Sequence, residues 1–252
     1  MSHLFDLAGK TAIVTGANTG LGQGIALALA DAGAAVSLVG RSAPDETVEK
    51  IKAMGGACCT VKADLSSVDA IDDIITATRD QLGGLDILVN NAGIIQRNDA
   101  IDFTMEEWDS VLNVNLRTVF FLSQAFARAC VDASQGGKII NIASMLSYRG
   151  GIRVPSYTAS KSGLMGLTRA LANEWAGKGI NVNAIAPGYF ATNNTAALQA
   201  DPKRSAEILG RIPAGRWGQP KELGGAAVFL ASDASDYVHG TTLPVDGGWL
   251  SR

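Results

Sequence analysis

The chain has 252 residues, enough for one large α/β domain or two small ones, and its 47% hydrophobic residues can form a substantial core. A net charge of −3 with no long basic run excludes a general electrostatic attraction to nucleic acid or to anionic membranes. No apolar stretch approaches the roughly 18 residues of a membrane span, and residues 1–10 lack the pattern of a secretion signal. We therefore expect a cytoplasmic protein that binds neither nucleic acid nor membrane.

Apolar runs typical of buried strands alternate with helical patterns along the chain. Strands are expected at residues 11–15, 35–39, 57–62, 87–90, 138–142, 180–185 and 242–245. Helices are expected at residues 20–32, 45–54, 68–81, 104–133, 157–175 and 221–230. Strands joined by helical crossovers form parallel sheets with helices on both faces. The sequence therefore predicts an α/β fold, a Rossmann-type, doubly wound parallel sheet of about seven strands.

The alternation is not interrupted by a linker, an internal repeat or a low-complexity tract, so residues 1–252 are expected to form a single domain. Residues 188–218 have weaker strand and helix signals and follow the sixth predicted strand. A long connection at the carboxyl edge of a sheet is commonly a binding loop. We expect this segment to be a lid over the substrate.

The cysteines and histidines give no sign of a metal site. Cys58, Cys59 and Cys130 match no metal-ligand spacing, and any disulfide scheme leaves one of them unpaired. His3 and His239 are the only histidines. We therefore predict no metal site and expect the cysteines to be small core residues.

The loop after the first predicted strand carries glycines at positions 16, 20 and 22. Glycines there permit a sharp turn and let backbone N–H groups at a helix N-terminus approach a pyrophosphate. Glycine-rich loops are common, but this one joins a strand to a helix at the start of an alternating α/β chain. This context indicates a dinucleotide site.

Ser144, Tyr157 and Lys161 are suited to moving a proton onto or off a carbon–oxygen bond. Tyr157 and Lys161 are four residues apart, so on a helix they share a face, where the cation would lower the pKa of Tyr157 from about 10. Ser144 follows an apolar run and is expected at the carboxyl end of a strand, where ligands bind in α/β sheets. Taken singly, each has a simpler explanation: a capping serine, a packed tyrosine ring and an exposed lysine.

Three motifs occur in a diagnostic order: Thr-Gly-x-x-x-Gly-x-Gly at residues 15–22, Asn-Asn-Ala-Gly at residues 90–93, and Tyr157-x-x-x-Lys161. With them the chain resembles the short-chain dehydrogenase/reductase family over its whole length. The resemblance implies an NAD(P)-dependent alcohol dehydrogenase or ketone reductase, which passes a hydride between a nicotinamide dinucleotide and a hydroxyl or ketone.

The same resemblance implies roles for individual residues. Tyr157 is the expected general acid/base, Lys161 holds the ribose and tunes Tyr157, and Ser144 polarises the substrate oxygen. Asn115 matches the asparagine that supports a water leading to Lys161. The residues expected around the cofactor are Gly16, Asn18, Thr19, Gly20, Leu21, Gly22, Arg41, Asp64, Leu65, Asn91, Ala92, Gly93, Tyr157, Lys161, Pro187, Gly188 and Thr192.

The end of the second strand bears on the choice of cofactor, because an acid there binds a free 2′-hydroxyl and an arginine accommodates a 2′-phosphate. Arg41 follows the strand, and no acid appears before Asp45. The planar donor fork of arginine suits phosphate. The sequence favours NADP(H), with a solvated loop arginine as the alternative.

Longer segments, at residues 139–162, 184–195, 204–218 and 245–250, resemble a branch of the family that acts on deoxy sugar acids of the 2-dehydro-3-deoxy-D-gluconate or 2-deoxy-D-gluconate type in bacterial uronate breakdown. That branch is associated with NAD(H), so the resemblance allows NAD(H) where Arg41 favours NADP(H). A sugar acid needs a cation for its carboxylate and donors for its hydroxyls. The candidates are Gln96, Arg97, Met145, Arg149, Arg153 and Asn194. Arg149 and Arg153 have a surface ion pair or a subunit contact as the alternative.

Other interpretations stay open within and outside the family. A carrier-linked 3-oxoacyl reductase would be expected to show a basic docking surface, for which an acidic chain offers little support, and a gluconate 5-dehydrogenase would use the same chemistry. A non-catalytic dinucleotide-binding regulator is disfavoured by the complete set of Asn115, Ser144, Tyr157 and Lys161. The resemblance also implies a homotetramer, with the helical segments at 104–133 and 157–175 as candidate two-fold interfaces.

Overall fold

A computed structural model describes residues 4–252. The strands are β1 (Thr11–Thr15), β2 (Ala35–Gly40), β3 (Cys58–Lys62), β4 (Ile87–Asn90), β5 (Gly137–Ile142), β6 (Ile180–Pro187) and β7 (Thr242–Val245). The α-helices within this range are α1 (Gly20–Asp31), α2 (Asp45–Ala53), α3 (Ile71–Leu82), α4 (Met105–Leu112), α5 (Thr118–Asp132), α6 (Pro155–Trp175), α7 (Ala196–Ala200), α8 (Pro202–Leu209) and α9 (Lys221–Ala231).

The seven strands form one sheet in the order β3-β2-β1-β4-β5-β6-β7, and every neighbouring pair is parallel. The chain winds outward from β1 in one direction through β2 and β3, and in the other from β4 to β7. Such a reversal opens a crevice beyond the carboxyl ends of the central strands. The predicted doubly wound α/β sheet is confirmed.

Successive side chains of a strand point to opposite faces of the sheet, so each face presents its own apolar surface. Different helices cover the two faces. In β1, Val14 packs in a core with Ile25 of α1 and Leu223 of α9. Its neighbour Ile13 packs on the other face with α3, α5 and α6, around the fully buried Phe126. Strands buried on both faces account for the continuous apolar runs in the sequence.

The cysteines are all free. Cys59 and Cys130 are buried and Cys58 is half-buried against the opposite core, as expected for neighbours on one strand. Burial raises the pKa of Cys130 to about 11, which keeps this thiol protonated.

Three predicted segments differ from the structure by more than two residues. The third helix begins at Ile71 instead of residue 68, because residues 68–70 form a turn. The segment predicted as one helix at 104–133 contains α4, a π-helical turn at Asn113–Arg117, and α5. The segment 188–218, predicted as a lid with weak strand and helix signals, contains α7 and α8. Among the described residues, no helix is long and apolar enough to span a membrane.

Candidate active site

A cleft of about 900 Å³ lies beyond the carboxyl ends of the strands. Its lining comes mainly from the loops that follow β1 to β6, from the start of α6, and from the segment 188–218, the predicted lid. All seventeen residues expected around the cofactor line it. The size and position are typical of a small-molecule or cofactor site.

The glycine loop at the floor of the cleft is closely packed. Gly16 has a φ of 67°, and a β-carbon at Gly22 would come within 2.1 Å of the Gly16 carbonyl oxygen, so a side chain at Gly22 has no room. Thr19, the N-cap of α1, makes no side-chain capping hydrogen bond, and no acidic residue occupies the first turn. The first N–H groups of α1 therefore face the cleft without a side-chain partner, which suits a pyrophosphate.

Asn91 connects this loop to the neighbouring strand. Its side-chain amide donates to the carbonyl oxygens of Thr15 (2.8 Å) and Gly16 (3.2 Å). The Thr15 hydroxyl in turn accepts from the backbone N–H groups of Asn91 and Ala92, both at 3.0 Å. Asn91 therefore holds the ends of β1 and β4 together and keeps the loop in shape.

Arg41 and Asp64 line the far end of the cleft, after β2 and β3. Hydrogen bonds from Ser66 hold the pKa of Asp64 below its ordinary value, with a smaller contribution from the charge of Arg41. Arg41 is exposed and makes no ion pair or hydrogen bond within residues 4–252. Its guanidinium is therefore available to a phosphate.

Ser144 lies two residues beyond the end of β5, at the edge predicted for it. Its hydroxyl oxygen accepts a hydrogen bond from Leu146 N at 3.1 Å and caps a short 3₁₀ helix, Met145–Ser147. The capping bond uses only the oxygen as an acceptor, so the hydroxyl proton stays available to donate. Ser144 thus serves as a cap and keeps a donor for a ligand.

Tyr157 and Lys161 lie on the first turns of α6, which Pro155 starts at N1. The Lys161 Nζ lies 5.7 Å from the centre of the Tyr157 ring and donates to the Ile142 carbonyl oxygen at 2.6 Å. Burial lowers the pKa of Lys161 to about 8. Burial also raises the pKa of Tyr157, against opposing contributions from a hydrogen bond with Ser144 and the charge of Arg97, so the expected lowering by Lys161 is not found.

Asn115 lies in the π-helical turn between α4 and α5 and is fully buried. Its side chain accepts from Ile94 N and donates to Ile94 O, both at 2.9 Å, and it donates to Ser160 Oγ at 3.3 Å. A π-turn inserts one extra residue into the helical ladder, and such turns are frequent at functional sites. Here the turn places the side-chain amide of Asn115 between Ile94, in the loop after β4, and Ser160 of α6. Asn115 itself lies behind the lining of the cleft.

The remaining candidates for substrate binding divide into two groups. Arg97, Met145, Arg149 and Asn194 line the cleft, whereas Gln96 and Arg153 do not. Arg153 has a φ of 65° and pairs with Asp99 at 3.0 Å, which is the surface ion pair considered as its alternative. Arg149 donates a hydrogen bond to the carbonyl oxygen of Arg252.

The charge of the cleft is opposite to that of the whole chain. Five arginines and one lysine line it (Arg41, Arg97, Arg149, Arg204, Arg211 and Lys161), and Asp64 is the only carboxylate among the described lining residues. Clefts lined by charge of one sign concentrate oppositely charged ligands. This cleft therefore favours anions, although the net charge of the protein is −3.

Several lining residues were not among the predicted site residues, notably Tyr189, Arg204, Arg211 and Trp249. They come from the lid and from the end of the chain, which the fold brings together. Trp249 packs with Met145, Ile208 and Ile212 in a small core of its own. Within residues 4–252 no group of three metal-binding side chains occurs, and His3 lies outside the described residues.

Comparison with known proteins agrees with this geometry. A family model described as enoyl-(acyl carrier protein) reductase matches residues 16–250. A 2-dehydro-3-deoxy-D-gluconate 5-dehydrogenase of Escherichia coli (strain K12) is 59% identical over 98% of both chains, and one of Bacillus subtilis (strain 168) is 55% identical over 98% of this chain and 97% of its own. The crystal structure of a provisionally assigned 2-deoxy-D-gluconate 3-dehydrogenase from Agrobacterium tumefaciens, with bound NADP, has a TM-score of 0.94 at 57% identity over 99% of both chains.

The match extends over the glycine loop, the Asn-Asn-Ala-Gly turn and the Tyr157–Lys161 pair. It also covers the lid and most of the C-terminal segment, so the whole cleft lies within the similar region. The chain is thus an NAD(P)-dependent oxidoreductase and belongs to the short-chain dehydrogenase/reductase family.

Proposed function

We propose that the enzyme interconverts a hydroxyl and a ketone on a deoxy sugar acid, of the 2-dehydro-3-deoxy-D-gluconate or 2-deoxy-D-gluconate type, with NADP(H) as the preferred cofactor. The observation that carries this proposal is the cationic cleft in an acidic protein. A dinucleotide accounts for Arg41 and for Lys161. The arginines at the other end call for a second anion, and a sugar carboxylate supplies one.

The cofactor would lie along the cleft, with its pyrophosphate at the N-terminus of α1 and its ribose near Lys161, and when bound it supplies or accepts the hydride. Tyr157 exchanges a proton with the substrate oxygen as general acid/base. Ser144 donates its hydroxyl proton to the same oxygen and orients it. Because Tyr157 and Ser144 come from different elements, the oxygen is held from two sides.

Lys161 and Asn115 support this proton transfer. A β-carbon placed on Gly93 would lie 3.2 Å from Asn115 Oδ1 and 3.7 Å from Lys161 Nζ, so the glycine backbone lies close to both groups and a side chain there would crowd them. A water between the two groups would accept from Lys161 and donate to Asn115, which is the relay implied by the family resemblance. Lys161 would then hold a proton close to Tyr157, since its Nζ lies 5.7 Å from the centre of the Tyr157 ring.

A substrate panel tests the proposed function, with the reduced-cofactor absorbance as the signal. The panel contains 2-dehydro-3-deoxy-D-gluconate, 2-deoxy-D-gluconate, D-gluconate and a 3-oxoacyl thioester. We expect the highest kcat/KM with one of the two deoxy sugar acids. A preference for D-gluconate or for the thioester would assign the enzyme to the corresponding alternative within the family, and no turnover with any cofactor would favour the non-catalytic regulator.

Replacing Arg41 with alanine should lower kcat/KM for NADPH by about 10- to 100-fold, because a hydrogen bond to a charged group contributes roughly 1.5–3 kcal/mol. The value for NADH should change little, since NADH has no 2′-phosphate. Steady-state kinetics with both cofactors at a saturating sugar acid measure this ratio.

Lys62→Ala is the matched control for Arg41→Ala. Lys62 is an exposed cation at the end of β3, registered against Gly40 of β2, and it does not line the cleft. The Lys62→Ala variant should leave the ratio of kcat/KM for NADPH to kcat/KM for NADH unchanged. The proposed preference would be wrong if wild-type enzyme used NADH far better than NADPH, or if Arg41→Ala left the ratio where it was.

We also infer a cytoplasmic homotetramer. Met105 and Trp108 on α4 and Phe121 on α5 leave large apolar surface exposed in the single chain, at 85%, 41% and 36%. Exposed apolar surface of this kind is typical of subunit interfaces. These helices fall within one of the two segments suggested by the sequence.

A further inference from the structure

Arg211 is held in the cleft by an aromatic side chain. Its guanidinium carbon lies 4.3 Å from the centre of the Trp249 ring, which is a close cation–π stack. Trp249 is 6% exposed, lies edge-on to Tyr189 at 4.9 Å between ring centres, and packs in the small core with Met145 and Ile212. The platform under Arg211 is therefore rigid, although Arg211 belongs to the lid.

The stack uses the face of the guanidinium and leaves its edges unused. Within residues 4–252, the side chain of Arg211 makes no hydrogen bond and no ion pair. All five N–H donors of an arginine lie in the plane of the group, at those edges. Arg211 thus offers an oriented and unoccupied fork, the geometry that binds a carboxylate through two hydrogen bonds.

The other arginines in the substrate half of the cleft are engaged differently. Arg204 pairs with Glu207 at 2.7 Å, and Arg149 donates to the Arg252 carbonyl oxygen. Arg97 lies close enough to Tyr157 for its charge to lower the pKa of that phenol, which places it at the reacting end. Among these arginines, Arg211 is therefore the one available to bind an anionic group of the substrate away from the reacting oxygen.

We propose that Arg211, stacked on Trp249, binds the carboxylate of the substrate and selects acids over neutral polyols of the same length. This inference rests on the proposed oxidoreduction of a deoxy sugar acid. It assigns the carboxylate to the lid instead of to Arg149 or Arg153, the two arginines nearest Tyr157 in sequence. Trp249 acts as a positioning residue, since it orients Arg211 and need not touch the substrate.

The spacing suits a short sugar acid. Met145 follows Ser144 directly in the chain and packs in the same small core as Trp249, so one side chain separates the catalytic serine from the platform under Arg211. A six-carbon sugar acid carries its carboxylate a few bonds from the reacting carbon, so the two groups must be bound at separate points of the cleft. The substrate would therefore bridge α6 and the lid, and its binding would hold the lid in place.

The test compares 2-deoxy-D-gluconate with 2-deoxy-D-gluconamide, its uncharged amide. Arg211→Ala should raise KM for the acid by about 10- to 100-fold, with little change in kcat, because a bidentate charged pair is lost. KM for the amide should stay near its wild-type value. Arg211→Lys keeps the charge without the planar fork, and it should recover part of the lost affinity for the acid.

Arg216→Ala is the matched control, because Arg216 is also a cation of the lid but pairs with Glu222 outside the cleft. It should leave both KM values unchanged. Melting temperature and NADPH binding of each variant establish that the protein is folded, and Arg211→Lys provides a second variant if Arg211→Ala is unstable.

Two results would overturn the inference while the proposed function stands: an unchanged KM for the acid in folded Arg211→Ala, or an equal rise in KM for the acid and the amide. Absence of turnover by wild-type enzyme with every sugar acid would overturn the proposed function, and this inference with it.

Discussion

Tyr157→Phe should lower kcat by about 10²- to 10⁴-fold, the contribution expected of a general acid/base. The substitution removes one hydroxyl and keeps the ring, which lies in the first turn of α6 beside Lys161. The glycine loop and Arg41 are unaffected, so NADPH binding should change little. Single-turnover rates with a saturating sugar acid, together with a direct titration of NADPH, measure the two effects separately.

Tyr148→Phe is a suitable control for this experiment. Tyr148 precedes α6 in the same segment, its hydroxyl donates to the Thr242 carbonyl oxygen at 3.3 Å, and it does not line the cleft. Loss of that hydroxyl should leave turnover near the wild-type rate. Retention of most of the activity by Tyr157→Phe would refute the assignment of the general acid/base.

The pH dependence of the wild-type enzyme follows from the same residue. Burial raises the pKa of Tyr157, so at neutral pH the phenol is largely protonated. Reduction needs a proton donor and should therefore proceed at neutral pH. Oxidation needs a base, and its rate should increase as the pH rises towards the pKa of Tyr157.

The sheet and the glycine loop were predictable because their signals are local. Strands buried on both faces require unbroken apolar runs, and all seven runs in the sequence became strands. The turn at Gly16 and the tight contact at Gly22 depend on the lack of a β-carbon, which the sequence shows directly. Tyr157 and Lys161 were also predictable from a local signal, because their spacing of four residues on one helix places them on the same face.

The π-turn that contains Asn115 could not be predicted from the apolar periodicity of the sequence. The apolar pattern of residues 104–133 is typical of one long helix, and the residue that a π-turn inserts cannot be located from that pattern. The structure contains a π-turn at Asn113–Arg117, and its buried amide forms three hydrogen bonds. Those bonds join residues 21 and 45 positions apart, which no local pattern encodes.

The substrate end of the cleft depends on tertiary packing. Arg149 and Arg153 are close in sequence, yet only Arg149 lines the cleft, because Arg153 turns away in a left-handed backbone conformation to pair with Asp99. Arg211 and Trp249 are far apart in sequence and stack on each other. Sequence segments that contain them could be recognised as similar to known enzymes, but the contact itself requires the fold.

Lys161→Met should abolish activity and at the same time stabilise the cofactor-free protein below pH 8. Lys161 is 4% exposed, and burial alone lowers its pKa from 10.5 to about 8, with no carboxylate contributing. A buried cation without a counter-ion is costly, and the pKa change corresponds to a penalty of roughly 3 kcal/mol. Methionine fills the space without charge but loses the hydrogen bond from the charged amine to Ile142 O, which offsets roughly 1.5–3 kcal/mol.

The change with pH in the stability gained by Lys161→Met distinguishes removal of a buried charge from a better-packed core. Below pH 8 both the folded and the unfolded chain carry the proton on Lys161, so the wild-type protein bears the full penalty. Between pH 8 and 10.5 the unfolded chain binds more protons than the folded one, so the contribution of Lys161 to wild-type stability becomes more favourable as the pH rises. The advantage of Lys161→Met should therefore shrink across that interval.

Denaturant unfolding of both proteins without cofactor, at several pH values from neutral to above 10.5, measures the difference in the free energy of unfolding. Lys178→Met, at an exposed lysine just after α6, serves as the control and should show no such trend. A stability difference that stays constant with pH would mean that Lys161 is not a destabilising buried charge. The proposed function requires that charge. A lysine without a counter-ion in the cofactor-free protein is available to hydrogen-bond the ribose of NADP(H) and the water beside Asn115.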